Sequence, residues 1–347
     1  MQTNKKALVI VLSFFLFVTL AAAGAYFLLL PMGPLKHMVE LKVTPGTPLR
    51  SIAVTLEQQH VIRWAPALSL WMKFRGTEKR IQAGRFDFLE NEGAASAAKK
   101  LLSAHPIEVE VIIPEGLTME QTAKIFMNSA LKIDTAQFLA ICYNEDILKK
   151  HGISAPTLEG YLFPNTYRFP EKDRASDIVN RMVDRFKKTY ESLDTTQSGR
   201  FGFAMHQFVI LASIIEKEAQ LESERTRISA VFHNRLKKGI PLGADPTVRY
   251  IFKKFSGPLY VSQLKSTSPY NTRVFRGLPP GPICSPGKAS LQAAMTPDDS
   301  KDLYFVAKWD GSGAHDFSTT NRDHDKKKTL IRQKNKMRIA KAKNAKK

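Results

Sequence analysis

The segment that most constrains the fold is an uncharged, mostly apolar run that ends beside two glutamates. Eight residues, 208–215, read FVILASII and lead directly into Glu216, Lys217 and Glu218. A run of this composition is expected to be buried, and it draws its polar end toward the interior. Burial disfavours the charged form of a carboxylate, so its pKa rises and it can hold a proton near neutral pH. The pattern therefore predicts a buried helix that ends in a general acid, as in enzymes that break bonds by acid catalysis.

The spacing within this segment leaves two candidates for the acid. On a helix, Glu216 and Glu218 point about 200° apart, so they cannot act together as the carboxylate pair found in many glycosidases. Glu222 lies one turn after Glu218 and could share its face. The alternative interpretation is a solvated helix end stabilised by ion pairs at i,i+4 spacing. Spacing alone does not choose between Glu216 and Glu218.

A second apolar run predicts a transmembrane helix at the N-terminus. Residues 7–30 carry no charge, and as a helix they would be about 36 Å long, more than the roughly 30 Å hydrocarbon core of a bilayer. The alternative is a signal peptide cleaved after the small residues 21–23. Because the apolar run continues past that site to Leu30, we expect an uncleaved anchor. Basic residues on both sides of the run leave its orientation open.

The formal charge of +20 is concentrated at the C-terminus. Residues 326–347 contain eleven Lys or Arg and no Asp or Glu, whereas the remaining chain has 41 basic and 32 acidic residues. This tail could bind nucleic acid, anionic lipid or an anionic polymer. The alternative, which we favour, is a solvated tail, disordered or a frayed helix, without a specific partner.

Helices and strands are mixed along the rest of the chain without the regular alternation of βαβ units, which favours an α+β fold. A strand–turn–helix order occurs twice, about 70 residues apart, and indicates a duplicated small βα module. Residues 158–167 are aromatic and predict a loop or short strand that either borders a pocket or packs over the core. The predicted strands are 40–43, 84–88, 107–113 and 303–307, and the predicted helices are 51–59, 64–74, 94–104, 118–129, 175–193, one or two within 208–239, and one from about 290.

The Gly- and Pro-rich segment from 239 to 287 predicts irregular binding loops. Asp245, Tyr270 and Asn271 supply the hydrogen-bonding and stacking groups that a sugar polymer requires, although each alone is more often a turn residue. His315 follows a predicted hairpin turn, and a single histidine is more often structural than catalytic. No group of His, Cys, Asp or Glu has the spacing of a metal site, so we expect no metal.

These segments, in this order, resemble the MltG (YceG-like) family of endolytic peptidoglycan transglycosylases. The N-terminal span and the PEG turn at residues 114–116 also match the family, and the resemblance covers the chain up to the basic tail. The matching motifs are LASIIEKEA (211–219), ER (224–225), FHNRL (232–236), ADPTVRY (244–250), SPYNTR (268–273), GLPPGPICSPG (277–287) and HDFSTT (315–320).

The resemblance implies a domain organisation. Residues 1–6 would be cytoplasmic, 7–30 the anchor in the cell (inner) membrane, 40–154 LysM-like modules and 155–325 a mixed α/β catalytic domain on the periplasmic or extracytoplasmic side. Residues 326–347, the basic tail, are not part of the family's pattern.

The resemblance also implies a reaction. Glu218 would protonate the glycosidic oxygen between N-acetylmuramic acid and N-acetylglucosamine, and the muramic 6-hydroxyl would close on C1 to give a 1,6-anhydro end. Asp245, Tyr270, Asn271, Glu222 and His315 would contact the glycan. The same glutamate could take the proton from the 6-hydroxyl, and no metal or cofactor is implied.

The implied substrate is nascent peptidoglycan, cut beside the synthesis machinery to terminate glycan elongation. Peptidoglycan synthases are therefore the expected protein partners, and no nucleic acid is expected. The alternative is a non-catalytic, membrane-anchored glycan-binding or scaffold protein that depends on its LysM-like modules.

Overall fold

The computed structural model describes residues 2–35, 37–44, 46–81, 84–103 and 108–344. The chain divides into two compact units, Met1–Glu108 and Val109–Lys347. Both contain helices and strands, and the six strands of the described residues form three two-stranded sheets. The predicted mixture of helices and strands is therefore confirmed.

The first unit begins with a long apolar helix. Within it, Leu12–Leu29 has a mean hydropathy of 2.1 and no buried residue, and it is the one segment of the described chain that is long and apolar enough to cross a membrane. The helix ends just before the Pro- and Gly-containing residues 31–34. The elements of this unit are α1 (Gln2–Leu29), β1 (Met38–Val43), α2 (Leu49–Gln58), α3 (Ala65–Phe74), β2 (Gly84–Leu89) and α4 (Ala94–Leu101).

Strands β1 and β2 form an antiparallel pair whose register runs from Met38 opposite Leu89 to Val43 opposite Gly84. Along β2, Phe86 and Phe88 are buried and alternate with more accessible charged residues, because successive side chains of a strand point to opposite faces. They pack on the buried faces of α2, α3 and α4, so the core of this unit lies between the strand pair and the helices.

The chain that leaves α1 is hydrogen-bonded to the body of the first unit. The Met32 N–H donates to the Asn91 carbonyl at 3.0 Å, and the Asn91 side chain donates to the Pro34 carbonyl at 3.0 Å. Arg63 donates to the Pro31 carbonyl at 3.1 Å. These bonds fix the end of α1 to two loops, the one between β2 and α4, which contains Asn91, and the one between α2 and α3, which contains Arg63.

The second unit contains the remaining two strand pairs and ten helices of the described residues. Strand β3 pairs with β4, and β5 pairs antiparallel with β6, with Ala307 opposite His315. Its elements are β3 (Glu108–Ile113), α5 (Met119–Asn128), α6 (Thr135–Cys142), α7 (Glu145–His151), β4 (Asn165–Pro170), α8 (Ala175–Glu191), α9 (Met205–Glu218), α10 (Arg225–Lys237), α11 (Asp245–Ile251), α12 (Val261–Leu264), α13 (Lys288–Met295), β5 (Tyr304–Ala307), β6 (His315–Ser318) and α14 (Asn321–Asn344).

Helix α9 lies at the centre of the second unit. All eight residues of the apolar run 208–215 are at most 3% exposed, so its predicted burial is confirmed. The Ser213 hydroxyl donates to the Ile210 carbonyl and accepts the Ile283 N–H at 3.1 Å. The bond to Ile283 holds the Pro-rich loop 279–286 against the helix. Because the buried Ser213 hydroxyl both donates and accepts a hydrogen bond, it is not left unpaired in the core.

Some predicted features differ from the structure. Residues 239–287 are not wholly irregular, because they include α11 and α12; helices of seven and four residues are too short to show periodicity. Within the aromatic stretch 158–167, Tyr161 and Leu162 are fully buried. The predicted limits at residues 104 and 107 lie outside the described residues, as do residues 345–347 of the tail.

The close approach of Gly93 to the end of α1 gives a stability test. Gly93 has φ +90°, and an added Cβ would lie 2.7 Å from the Leu30 carbonyl carbon. We expect Gly93→Ala to lower the free energy of unfolding by about 1–3 kcal/mol, since it adds a backbone clash to backbone strain. Gly76→Ala is the matched control, because Gly76 also has positive φ but faces open space. Thermal unfolding of both variants measures the difference, and equal losses would contradict it.

Candidate active site

Glu218 is the last residue of α9, and its side chain lies on the wall of a cavity of about 550 Å³. The other walls come from the C-terminal half of α10, the start of α11, the β5–β6 pair and the first turns of α14. Glu218 is only partly accessible, because the apolar body of α9 is packed in the core. The cavity therefore receives one carboxyl group from the interior of the protein.

The environment of Glu218 favours its neutral form. Burial raises the pKa of Glu218 to about 7, and the nearby negative charge of Asp245 acts in the same direction. Arg235, Arg249 and Arg273 oppose the shift. A carboxyl group with this pKa is protonated in an appreciable fraction of molecules at neutral pH, so it can donate a proton.

Glu216 has a different environment. Its carboxylate accepts the Gly287 N–H at 3.1 Å, and the adjacent Lys217 donates to the Gly116 carbonyl at 3.1 Å. Glu216 does not line the cavity. The side chains of Glu216 and Glu218 thus point in opposite directions, as expected for residues two positions apart on a helix. Of the two, only Glu218 lines the cavity.

Two arginines form part of the same cavity. Arg273 makes an ion pair with Asp245, with Nη1 and Oδ1 2.5 Å apart. Arg235 donates to the Leu303 carbonyl at 2.6 Å and to the Leu242 carbonyl at 2.7 Å. Because these hydrogen bonds go to backbone carbonyls on either side, Arg235 fixes the β5 side and the α11 side of the cavity relative to each other.

His315 is another side chain of the cavity with a defined orientation. Its Nδ1 lies 2.8 Å from Glu224 Oε2, and its backbone N–H donates to both oxygens of the same carboxylate at 3.0 and 3.1 Å. The ring packs edge-on against Phe305, with centroids 5.3 Å apart. A carboxylate at Nδ1 selects the tautomer with the proton on that nitrogen, which leaves Nε2 as a proton acceptor.

The structure brings together three of the residues predicted for the site. Glu218, Asp245 and His315 line the one cavity. Glu222 lies in a different hollow, beside Glu115 and Arg225. Tyr270 lines a neighbouring cavity with Glu159 and Tyr250.

Asn271 has no access to a ligand in this structure. It is fully buried, and its side chain donates to the Leu264 and Ser266 carbonyls at 3.1 and 2.8 Å. These bonds hold its own loop, as expected of a turn residue. The side-chain amide of Asn271 therefore stabilises its own loop.

Sequence reasoning missed two glutamates. Glu224 was noted only as part of a motif, because it is 91 residues from His315 and no local pattern pairs them. Glu159 is 4% exposed and accepts the Met119 N–H at 3.1 Å; burial raises its pKa to about 8. The sequence signal that could have indicated a buried Glu159 is its position between Leu158 and Gly160 in an aromatic stretch.

The cavity thus combines a group that can donate a proton with an oriented imidazole that can accept one. Within the described residues there is no group of three or more His, Cys, Asp or Glu that could hold a metal ion. This arrangement is suited to general acid–base chemistry on a substrate that fills the space between α9 and β6.

Comparisons with known proteins agree in their assignment. The chain is 32% identical over 312 residues to the endolytic murein transglycosylase of Bacillus subtilis (strain 168), a match that covers 84% of each protein. It is 25% identical over 354 residues to that of Streptococcus pneumoniae serotype 2 (strain D39), covering 91% of this chain and 64% of the relative's length.

A solved structure of a YceG-like protein also resembles this chain. The crystal structure of a putative YceG-like protein from Listeria monocytogenes matches with a TM-score of 0.56 and 30% identity, covering 84% of this chain and 99% of that one. The sequence model of the YceG-like family matches residues 41–329. That range contains every residue that lines the Glu218 cavity, and the chain belongs to the YceG-like family.

Proposed function

We propose that this protein is an endolytic murein transglycosylase, a lyase that cleaves the β-1,4 bond between N-acetylmuramic acid and N-acetylglucosamine within peptidoglycan strands. The observation that carries the proposal is Glu218, a carboxyl group with a pKa of about 7 on the wall of a cavity. The curated relatives named endolytic murein transglycosylase support the same activity.

Glu218 is the general acid of this reaction. It gives its proton to the glycosidic oxygen as the bond from C1 to that oxygen breaks. The muramic 6-hydroxyl oxygen then bonds to C1, which produces a 1,6-anhydro end. No water is consumed, and no second carboxylate nucleophile is required, in agreement with the absence of Glu216 from the cavity.

The ring closure also requires a base, because the 6-hydroxyl loses its proton as it bonds to C1. Glu218 could act as this base after it has donated its own proton. His315 is an alternative that the geometry favours, since Glu224 holds its Nδ1 at 2.8 Å and Nε2 has the free lone pair. We assign the base to His315; solvent then returns its proton to Glu218.

Other residues complete the proposed site. Asp245, held by Arg273, contacts the sugar next to the cleaved bond. Tyr270 contacts a sugar of the same glycan strand further from the cleaved bond, in the second cavity that it lines together with Tyr250. Asn271 acts on the glycan only indirectly, by holding its own loop.

The proposed location is the cell (inner) membrane. Helix α1 crosses it once and residues 1–6 are cytoplasmic. The rest of the first unit and the second unit lie on the outer side, where nascent strands are made beside the synthases. In the first unit, two helices lie between the two strands of an antiparallel pair in the order β1–α2–α3–β2. This order supports a LysM-like module that binds glycan.

The end group of the product tests the proposed activity. We expect Glu218→Gln to lower kcat by about 10²- to 10⁴-fold, the usual contribution of a general acid. The assay incubates glycan strands with the purified protein and determines product masses. Wild-type products should carry 1,6-anhydro ends, whereas reducing ends would indicate hydrolysis by water.

Glu216→Gln is the matched control for Glu218→Gln. Its loss should be much smaller, because the amide oxygen of glutamine can still accept the Gly287 N–H. If Glu218→Gln retained anhydro products at the wild-type rate, the assignment of the acid would be wrong. If wild type released no product, a non-catalytic glycan-binding scaffold would be the better description.

The Glu224–His315 pair predicts a second kinetic effect. Glu224→Gln removes the carboxylate that fixes the imidazole tautomer, so we expect kcat to fall by about 10- to 100-fold with little change in KM. Added imidazole should partly restore the rate of His315→Ala, and stronger bases of similar size should restore more. A rate that is insensitive to the added base would contradict the role of His315.

The pKa of Glu218 predicts the pH dependence of the activity. Because Glu218 must be protonated, kcat/KM should decrease above a pH of about 7, approaching about tenfold per pH unit. Measuring kcat/KM between pH 5 and 9, roughly the range in which such groups titrate, locates the midpoint. A decrease centred near the ordinary glutamate value would show that burial does not tune this group.

The same pKa predicts how stability changes with pH. Glu218 is protonated below about 7 when folded but only below about 4.5 when unfolded. The folded state therefore binds more protons between these values, and the free energy of unfolding falls as pH rises from 4.5 to 7. Glu218→Gln should show a smaller decrease than wild type but not none, because Glu159, with a pKa of about 8, contributes over the same range; urea unfolding at several pH values can measure the difference.

A further inference from the structure

Helix α3 has an apolar face that the described residues leave largely exposed. Ala65, Leu68 and Met72 pack in the core of the first unit, but Leu70 is 62% and Phe74 88% exposed. Trp64, just before the helix, is 46% exposed. We call Trp64, Leu70, Trp71 and Phe74 the α3 face. Contiguous exposed side chains of this size mark a surface that meets a partner.

The α3 face is continuous with the end of the apolar helix α1. Leu28 and Leu29, the last two residues of α1, line one hollow of about 220 Å³ together with the four residues of the α3 face. Every residue that lines this hollow is apolar. The uncovered surface of α3 therefore begins where the apolar span of α1 ends.

The junction between α1 and the first unit fixes this arrangement. The chain after α1 is held by the hydrogen bonds of Asn91 and Arg63 to residues 31–34. Gly93 leaves no room for a side chain beside Leu30. Because the link is short and bonded on both sides, a membrane that surrounds α1 ends next to the α3 face.

The charges around the α3 face suit a phospholipid surface. The Arg75 guanidinium lies 4.6 Å from the Trp71 ring centroid, and that of Arg63 lies 4.3 Å from the ring of Phe27. Lys73, Lys79 and Arg80 are exposed nearby in sequence. Tryptophan at the headgroup level, with arginine and lysine reaching the phosphates, is the pattern of interfacial segments.

We propose that the α3 face inserts into the boundary between headgroups and acyl chains of the membrane leaflet from which α1 emerges. The occupant is thus phospholipid, and the first unit lies on the bilayer surface rather than extending from it on a free tether. The inference rests on the proposed membrane anchor, and it adds a second, interfacial membrane contact to it.

Tryptophan fluorescence provides a direct test, because the chain has three tryptophans. Trp309→Phe leaves Trp64 and Trp71 as the reporters; Trp309 lies in the exposed β5–β6 turn of the second unit. The full chain is reconstituted into vesicles of phosphatidylethanolamine and phosphatidylglycerol with brominated acyl chains. Bromine quenches only at close range, so we expect quenching that is stronger for bromine near the carbonyl than near the chain end.

A paired variant removes the contact without removing the anchor. In the Trp309→Phe background, Leu70→Glu with Phe74→Glu should shift the emission to longer wavelength and reduce quenching. Both side chains are exposed, so the thermal unfolding temperature should not change. Val54→Glu is the matched control, because Val54 is an exposed apolar residue of α2 outside the α3 face; its quenching should equal that of the parent.

The possible results separate this inference from the anchor itself. Protein that floats with the vesicles but is not quenched would overturn the inference and leave the anchor intact. Protein that does not float would contradict the anchor. Blue-shifted emission that brominated lipid does not quench, and that varies with the number of protein molecules per vesicle, would also overturn the inference. A second copy of the chain would then cover the α3 face.

Discussion

The burial of α9 is the constraint on which the second unit depends. Its eight-residue apolar run is surrounded by protein on every side, so residue 218 can reach the cavity only from the core. Desolvation then raises the pKa of the terminal carboxyl, and the loop 279–286 is fixed by the hydrogen bond between Ser213 and Ile283. Packing and acid chemistry therefore have the same cause, because the apolar residues that form the core also limit the access of water to Glu218.

The proposed acid and the proposed base of the cavity are prepared by opposite means. Glu218 has no charged partner within hydrogen-bonding distance among the described residues and is tuned by burial. His315 is held by a carboxylate that accepts its ring and backbone hydrogens. Groups with such different environments can carry different protonation states at one pH, which is what separate acid and base roles require.

Much of the fold could be predicted from local patterns. The alternation in β2 and the apolar runs of α1 and α9 each repeat within one element, so a short window of sequence reveals them. Helices α11 and α12 were missed because they are shorter than any reliable window. The sequence left open whether Asn271 is a ligand contact or a turn residue, because its bonds to the Leu264 and Ser266 carbonyls depend on how its loop folds.

The sequence by itself determined that residues 208–215 would be buried, that a glutamate would end that helix, and that residues 7–30 could span a membrane. Only the tertiary structure decided that Glu218 lines the cavity while Glu216 bonds to Gly287, and that Glu224 meets His315 across 91 residues. It alone revealed that α3 leaves an aromatic face beside the end of α1. Composition and periodicity are local properties of a chain, whereas a cavity and its charges depend on which distant segments pack together.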